Sequence, residues 1–185
     1  MHPKPLVRAR DALSQLLLDH EQIRKLLRQY DQARLTDEVA PEGRAEMLDS
    51  LCDALTLLAQ MEEDILYPAV RQALDSHVAV HAAFCDHDRL RVLIAELDEM
   101  PPGDRACDAV VADLGDCVLP YLNAAQEQLF AAVRRAGLDT LALGREMALR
   151  RREQQAQRLK RVTRLAGSTW LAASGWPGPC DGVPG

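Results

Sequence analysis

The chain has 185 residues, a formal net charge of −6, 48% apolar residues and only 4% aromatic residues. This length accommodates one domain with an appendage, and the composition is that of a globular protein. No apolar run approaches the roughly 18 residues that span a bilayer, and no signal-peptide apolar region follows the first residues. The five cysteines form no Cys-x-x-Cys pair, which argues against a disulfide framework. We therefore expect a protein of a reducing compartment, most simply a bacterial cytoplasm.

Four amphipathic helices are predicted in chain order. Apolar residues recur at spacings of three, four and seven, as on one face of a helix, from Leu13 to Tyr30, Leu48 to Ala69, Val80 to Leu97 and Val110 to Ala132. Helix-breaking residues separate these segments, at Pro41 with Gly43, at Asp75 with Ser76, at Pro101–Gly103 and at Gly137. The pattern predicts an all-α fold, an up-and-down four-helix bundle over residues 6–138.

A basic segment follows the bundle. Residues 145–164 carry eight Lys and Arg against two Glu, a net charge of +6, whereas residues 1–144 carry 14 basic and 25 acidic residues, a net charge of −11. We predict a basic helix over residues 139–166 and a disordered tail over residues 167–185. The helix is expected to lie on its own acidic bundle or on another copy; contact with an anionic surface stays open. We do not expect nucleic-acid binding, because no aromatic residues interleave the arginines.

The chain also contains an internal repeat. The segment that begins Asp19-His20 matches the one that begins Asp86-His87, and Glu62–Val70 matches Gln126–Val133 with one residue of slippage. The first two helices therefore look like a duplicate of the last two. This duplication places His20 and His87 at equivalent positions, on helices that can face each other across a bundle core.

Three polar residues interrupt the apolar faces. His20, Glu62 and His87 each lie between apolar residues of one helical stripe, and a buried carboxylate is costly unless it finds a partner. Two imidazoles and one carboxylate from three helices suit iron(II), manganese or zinc. Each residue alone also has a structural interpretation, as a hydrogen-bonded core histidine or a glutamate paired with an arginine. Together they predict a metal site or its remains. Glu63 is expected in solvent or in a salt bridge.

These residues carry a resemblance to a known family. His20 in Leu-Leu-Asp-His-Glu, the segment Glu-Glu-Asp-Ile-Leu-Tyr-Pro at 62–68, His87 in Asp-His-Asp-Arg-Leu and Gln128-Leu129-Phe130 stand in an order that resembles the hemerythrin-like (HHE cation-binding) domain, over about residues 10–150. The resemblance implies a four-helix bundle around a carboxylate-bridged di-iron centre. Family members bind dioxygen, sense oxygen or redox state, handle nitric oxide, or store and deliver iron.

Four positions depart from the family pattern. Histidines of the pattern are replaced by Leu58, Ala83 and Tyr121, and a carboxylate is replaced by Gln126. A full di-iron centre is therefore not expected. Tyr121 is expected to fill the vacated space, although a phenolate could also ligate a metal.

Three functional hypotheses follow from these departures. We favour a non-enzymatic sensing or interaction module with an eroded site, acting through self-association or an unidentified protein partner. The alternatives are a binder of one iron or other divalent ion through His20, Glu62 and His87, and a di-iron protein handling oxygen, nitric oxide or redox chemistry with unconventional ligands. No phosphate-binding loop or nucleophile motif suggests an enzyme.

Overall fold

The structure is a computed structural model that describes residues 10–36, 39–74, 78–101 and 104–173, and, of these, the side chains outside 78–86 and 158–173. Seven α-helices lie in this part of the chain, which contains no strand: α1 (Ala12–Thr36), α2 (Pro41–Met61), α3 (Tyr67–Leu74), α4 (Val78–Glu99), α5 (Cys107–Ala124), α6 (Phe130–Arg135) and α7 (Thr140–Ala173).

These elements form the predicted four-helix bundle. Helix α1 packs on α2 and α5, α2 packs on α4, and α4 packs on α5, which closes a ring of four. The second bundle helix consists of α2 and α3, and the fourth of α5 and α6. The core is filled by the apolar stripes that the periodicity indicated, and its fully buried side chains include Leu16, Ile23, Leu51, Leu55 and Leu114. Each such side chain contributes about 1.5–3 kcal/mol by leaving water.

Two π-helical segments interrupt the bundle helices at equivalent places. Glu62–Leu66 joins α2 to α3, and Ala125–Leu129 joins α5 to α6. Aligning the two segments pairs Glu62 with Ala125 without any slippage, whereas the sequence repeat had paired Glu62 with Gln126. Each π turn has a wider backbone than the α-helix around it, and such turns are common at functional sites. The apolar periodicity of the sequence does not indicate them.

The bundle begins and ends with close backbone contacts. Asp11 caps α1, because its side chain accepts hydrogen bonds from the backbone N–H and the hydroxyl of Ser14, at 3.1 and 2.6 Å. The first turns of α7 lie against this end, where Gln15 donates to the carbonyl of Gly144 at 2.7 Å. A Cβ at Gly144 would stand 2.4 Å from the backbone oxygen of Arg10, so only glycine fits there. Gly137, with φ of +63°, ends α6 as predicted.

The chain divides into two compact units, Met1–Ala148 and Leu149–Gly185. Within the second unit α7 continues to Ala173, past the predicted end at residue 166, since no proline stands between 140 and 173 and Leu171–Ala173 are good helix formers beyond the weaker Gly167–Trp170. The predicted disorder of residues 174–185 concerns residues outside the described part. Arg150 and Glu153 approach to 3.9 Å along α7. The interpretations of the basic residues stay predictions.

Among the described helices, none has an apolar stretch of the length that a membrane span requires.

Candidate metal centre

The three candidate residues of the sequence are all buried in the bundle. His20 on α1 and Glu62 at the start of the first π segment are 0% exposed, and His87 on α4 is 1% exposed. The fold brings two of them into contact, with Nε2 of His87 3.1 Å from Oε2 of Glu62. The contacts described for His20 are instead with the fourth bundle helix, at Gln126 and Phe130.

Two tyrosine hydroxyls complete the cluster around Glu62 and His87. The Tyr121 hydroxyl lies 3.0 Å from Nε2 of His87 and donates a short hydrogen bond to Oε2 of Glu62. The Tyr67 hydroxyl is 3.4 Å from each of the same two atoms. Tyr121 thus fills the space at its position, as expected, and also directs its oxygen at the candidate ligands. Sequence reasoning missed Tyr67; the available signal was its place five residues after Glu62, which a π turn brings to the same face.

The outer nitrogen of each histidine is held by the equivalent residue of a π segment. Nδ1 of His87 lies 2.7 Å from Oε1 of Glu63, and Nδ1 of His20 lies 3.1 Å from the amide nitrogen of Gln126. Arg91 donates to both carboxylate oxygens of Glu63, so the expected salt bridge of Glu63 exists and also reaches the site. This arrangement leaves the Nε2 atoms of both rings for the core.

Aromatic packing repeats the same internal symmetry. The ring of His87 stacks on Tyr67 with centroids 5.6 Å apart and 26° between planes. The ring of His20 stacks on Phe130 with centroids 5.7 Å apart and 22° between planes. Because Tyr67 and Phe130 both follow the π segments directly, the two halves of the bundle orient their histidines in the same way.

Two buried polar atoms in the described part of the chain have no hydrogen-bond partner. They are Nε2 of His20 and Oε1 of Glu62. A buried polar atom without a partner costs about 1–3 kcal/mol, so native proteins keep few of them. The two atoms belong to residues that the sequence singled out as metal ligands; Oε1 of Glu62 is a lone-pair donor, and Nε2 of His20 is one in the tautomer that carries its proton on Nδ1.

Burial and neighbouring charges set the protonation of the cluster. Burial, together with the positive charge of Arg24, lowers the pKa of His20 to about 4, so this ring is neutral at pH 7. Burial raises the pKa of Glu62, although hydrogen bonds from His87 and Tyr67 oppose the shift. Burial alone would lower the pKa of His87, but the carboxylates of Glu62 and Glu63 outweigh it and raise that pKa. Both shifts favour the binding of a proton by this pair.

Three donor atoms of the cluster lie within hydrogen-bond distance of one another. Nε2 of His87 is 3.0 Å from the Tyr121 hydroxyl and 3.1 Å from Oε2 of Glu62, and these two oxygens are hydrogen-bonded to each other. An ion at this place would have to displace the hydrogen-bonding protons and separate the three atoms.

Two further positions of the described bundle carry no metal-ligating side chain. At the position equivalent to Tyr121 the first half has the buried side chain of Leu58, and at the position equivalent to Glu62 the second half has Ala125. The side chain of Ala83 lies outside the described part. Among the described residues no three His, Cys, Asp or Glu side chains cluster as a metal group.

A surface pocket leads towards the cluster. It has a volume of about 380 Å³ and is lined by Arg89, Asp116, Cys117, Pro120, Tyr121 and Ala124. Tyr121 is 5% exposed and borders both this pocket and the Glu62–His87 pair.

Comparison with known proteins gives two matches. Residues 11–133 match the family described as the Hemerythrin HHE cation binding domain. The fold is similar to the crystal structure of a hemerythrin HHE cation binding domain-containing protein from Mycobacterium kansasii, with a TM-score of 0.67 and 18% identity, covering 83% of this chain and 93% of that chain. No curated protein matches the chain. At this identity the neighbour supports the fold, and the family match spans His20, Glu62, His87 and Tyr121.

Proposed function

The chain belongs to the hemerythrin HHE cation-binding domain family, and from this premise we propose that it binds one iron or other divalent ion at Glu62, His87 and Tyr121, with His20 facing the same site. The observation that carries the proposal is the pair of unpartnered buried atoms, Nε2 of His20 and Oε1 of Glu62. The internal symmetry supports the place of His20, since its ring is held and stacked as the ring of His87 is.

The donor set decides which ions are suitable. Imidazole nitrogen together with carboxylate and phenol oxygen suits iron, manganese or zinc, and a phenolate favours the harder iron(III). A bound ion would supply a fixed positive charge in the core and would replace the protons that Glu62, His87 and Tyr121 now share. The family pattern provides for two irons, and with Leu58, Tyr121 and Gln126 at three of its positions the residues that the structure describes offer donors for one.

A stability that depends on the bound ion would allow this module to sense that ion. Without an ion, the hydroxyl of Tyr121 and the ring of His87 satisfy Oε2 of Glu62. We propose that the metal-free bundle folds and that an ion stabilises it further by satisfying the two remaining atoms. At a free concentration 100 times its Kd the ion adds about 2.7 kcal/mol. The proposed role is non-enzymatic sensing, and an oxygen- or peroxide-consumption assay of the loaded protein that shows turnover would contradict this part.

Metal content tests the proposal directly. The chain is purified without a histidine tag from iron-supplemented medium, and ICP-MS is combined with thermal melting before and after chelation. We expect one ion per chain and a melting temperature roughly 5–11 °C higher with the ion than without it. His87→Ala should abolish binding, and His20→Ala should weaken it and keep the stoichiometry.

The control is Tyr30→Phe, which removes a buried hydroxyl elsewhere in the bundle and should bind as the unaltered chain does. Two irons per chain would show that the family chemistry survives and overturn the single-ion proposal. No ion, with a melt that chelator leaves unchanged, would overturn it in favour of a metal-free scaffold.

A further inference from the structure

The two histidines are held by groups of different charge. Glu63 holds Nδ1 of His87, and Arg91 grips both oxygens of Glu63. The equivalent residue on the other side is Gln126, whose amide is neutral. The internal symmetry therefore ends at the groups behind the rings, where one half of the bundle has an ion pair and the other has an amide.

The ion pair determines the state of the His87 ring. Both oxygens of Glu63 accept hydrogen bonds from Arg91, and Oε1 also lies 2.7 Å from Nδ1 of His87, so this geometry assigns Nδ1–H as the donor to the carboxylate. The remaining nitrogen, Nε2, then faces Glu62 and Tyr121. Such a carboxylate–histidine pair fixes the ring orientation and makes the other nitrogen a stronger metal ligand.

The tautomer of His20 is not fixed by a carboxylate in this way. The amide nitrogen of Gln126 faces Nδ1 and donates a hydrogen bond to it, and a half-turn of the terminal bond would present the amide oxygen, which accepts a hydrogen bond from Nδ1–H instead. Only the accepting orientation leaves Nε2 of His20 with a free lone pair. His20 thus remains neutral and buried, and the tautomer that binds metal is one of two.

We infer that Glu63 and Arg91 are positioning residues that make His87 the principal ligand and hold the ion on the His87 side of the core. This inference rests on the proposed function, because it names the residues that set the affinity of that site. It also predicts that a carboxylate at position 126 would strengthen the weaker side.

The experiment compares the metal affinity of variants at the groups behind the two histidines with that of a control variant. Kd for Co²⁺ is measured by competition with a fluorescent chelator for the unaltered chain and for Glu63→Gln, Arg91→Gln and Gln126→Glu. The control is Glu127→Gln, the same substitution at an exposed position of the second π segment. Glu63→Gln should weaken binding about 10- to 100-fold without changing the stoichiometry. Arg91→Gln should weaken it less, and Gln126→Glu should tighten it.

A second readout needs no metal. In the chelator-treated chain the Nδ1 proton of His87 should give a downfield, slowly exchanging resonance in proton NMR. Glu63→Ala should abolish this resonance, while the far-ultraviolet circular dichroism spectrum, which reports the helix content, stays unchanged. Equal Co²⁺ affinity of Glu63→Gln and Glu127→Gln would overturn the inference, as would survival of the resonance in Glu63→Ala. If the unaltered chain binds no Co²⁺, the proposed function fails, whereas the resonance still decides whether Glu63 positions the ring.

Discussion

Removing the hydroxyl of Tyr121 should destabilise the metal-free bundle. The hydroxyl donates to the buried carboxyl of Glu62 and contacts His87, and the residue is 5% exposed, so water cannot take its place. A hydrogen bond to a charged group contributes about 1.5–3 kcal/mol. We therefore expect Tyr121→Phe to lower the free energy of unfolding by about 2 kcal/mol, which corresponds to a fall in melting temperature of roughly 4–8 °C for a domain of this size.

A double-mutant cycle isolates this contact. Urea denaturation in the presence of chelator is measured for Tyr121→Phe, Glu62→Gln and the double variant. Because the two side chains are directly bonded, their coupling energy should be about 1–2 kcal/mol. Tyr30→Phe is the matched control: its hydroxyl also donates to a carboxylate, at 2.8 Å on Asp108. Tyr30 lies ten residues beyond His20 on α1, which is about 15 Å along the helix.

The cycle has a clear negative result. Tyr30→Phe combined with Glu62→Gln should be additive within about 0.5 kcal/mol, as expected for distant sites. If the Tyr121–Glu62 pair is equally additive, the hydroxyl does not hold the carboxyl, and the argument that Tyr121 belongs to the site is wrong.

Three further predictions concern the bundle itself. Gly144→Ala should lower the free energy of unfolding by about 1–3 kcal/mol through overpacking, since its Cβ would stand 2.4 Å from a backbone oxygen. Gly115→Ala should instead stabilise α5 by about 0.5–1 kcal/mol, because the atom nearest to its Cβ would be 3.9 Å away. Equal effects of the two substitutions in urea denaturation would contradict the packing described. Stability should decline above about pH 10, because burial and then Asp108 raise the pKa of Tyr30 in the folded chain, so the unfolded chain loses this proton first. The contribution of Tyr30 to the free energy of unfolding is complete below the pKa of Tyr30 in the unfolded chain, and it falls by about 1.4 kcal/mol for each pH unit above that pKa. In thermal melts recorded from pH 8 to 11, this part of the pH dependence of stability should be absent from Tyr30→Phe. Asp11→Ala should cost about 1 kcal/mol in thermal melts at pH 7 by removing the cap of α1, and Asp11→Asn, which keeps an accepting oxygen, should recover most of the loss.

The bundle could be predicted because the apolar residues on the buried face of each helix recur at a regular spacing in the sequence. Leu16, His20, Ile23, Leu27 and Tyr30 all fall on the buried side of α1, as their period required. The same reasoning found Glu62 and His87, since a polar residue within an apolar stripe has to be buried with a partner or displaced from the core. The family match over residues 11–133 confirms the resemblance drawn from these residues.

The rest of the site depends on backbone irregularity. A π turn changes which residues share a face, so Tyr67 and Glu63 reach His87 from positions that a regular α-helix would direct elsewhere. The same turns give the repeat its true alignment, which pairs Gln126 with Glu63 rather than with Glu62. Sequence periodicity assumes one period throughout a helix, and therefore could not locate these contacts.

The duplicated halves have a consequence for how this site could arise. Glu62 comes from the first half and Tyr121 from the second, so neither half contains the complete donor set. A symmetric pair of first halves would place two carboxylates and two leucines around the core, and a pair of second halves would place two tyrosines and two alanines there. The unequal arrangement thus requires both repeats on one polypeptide.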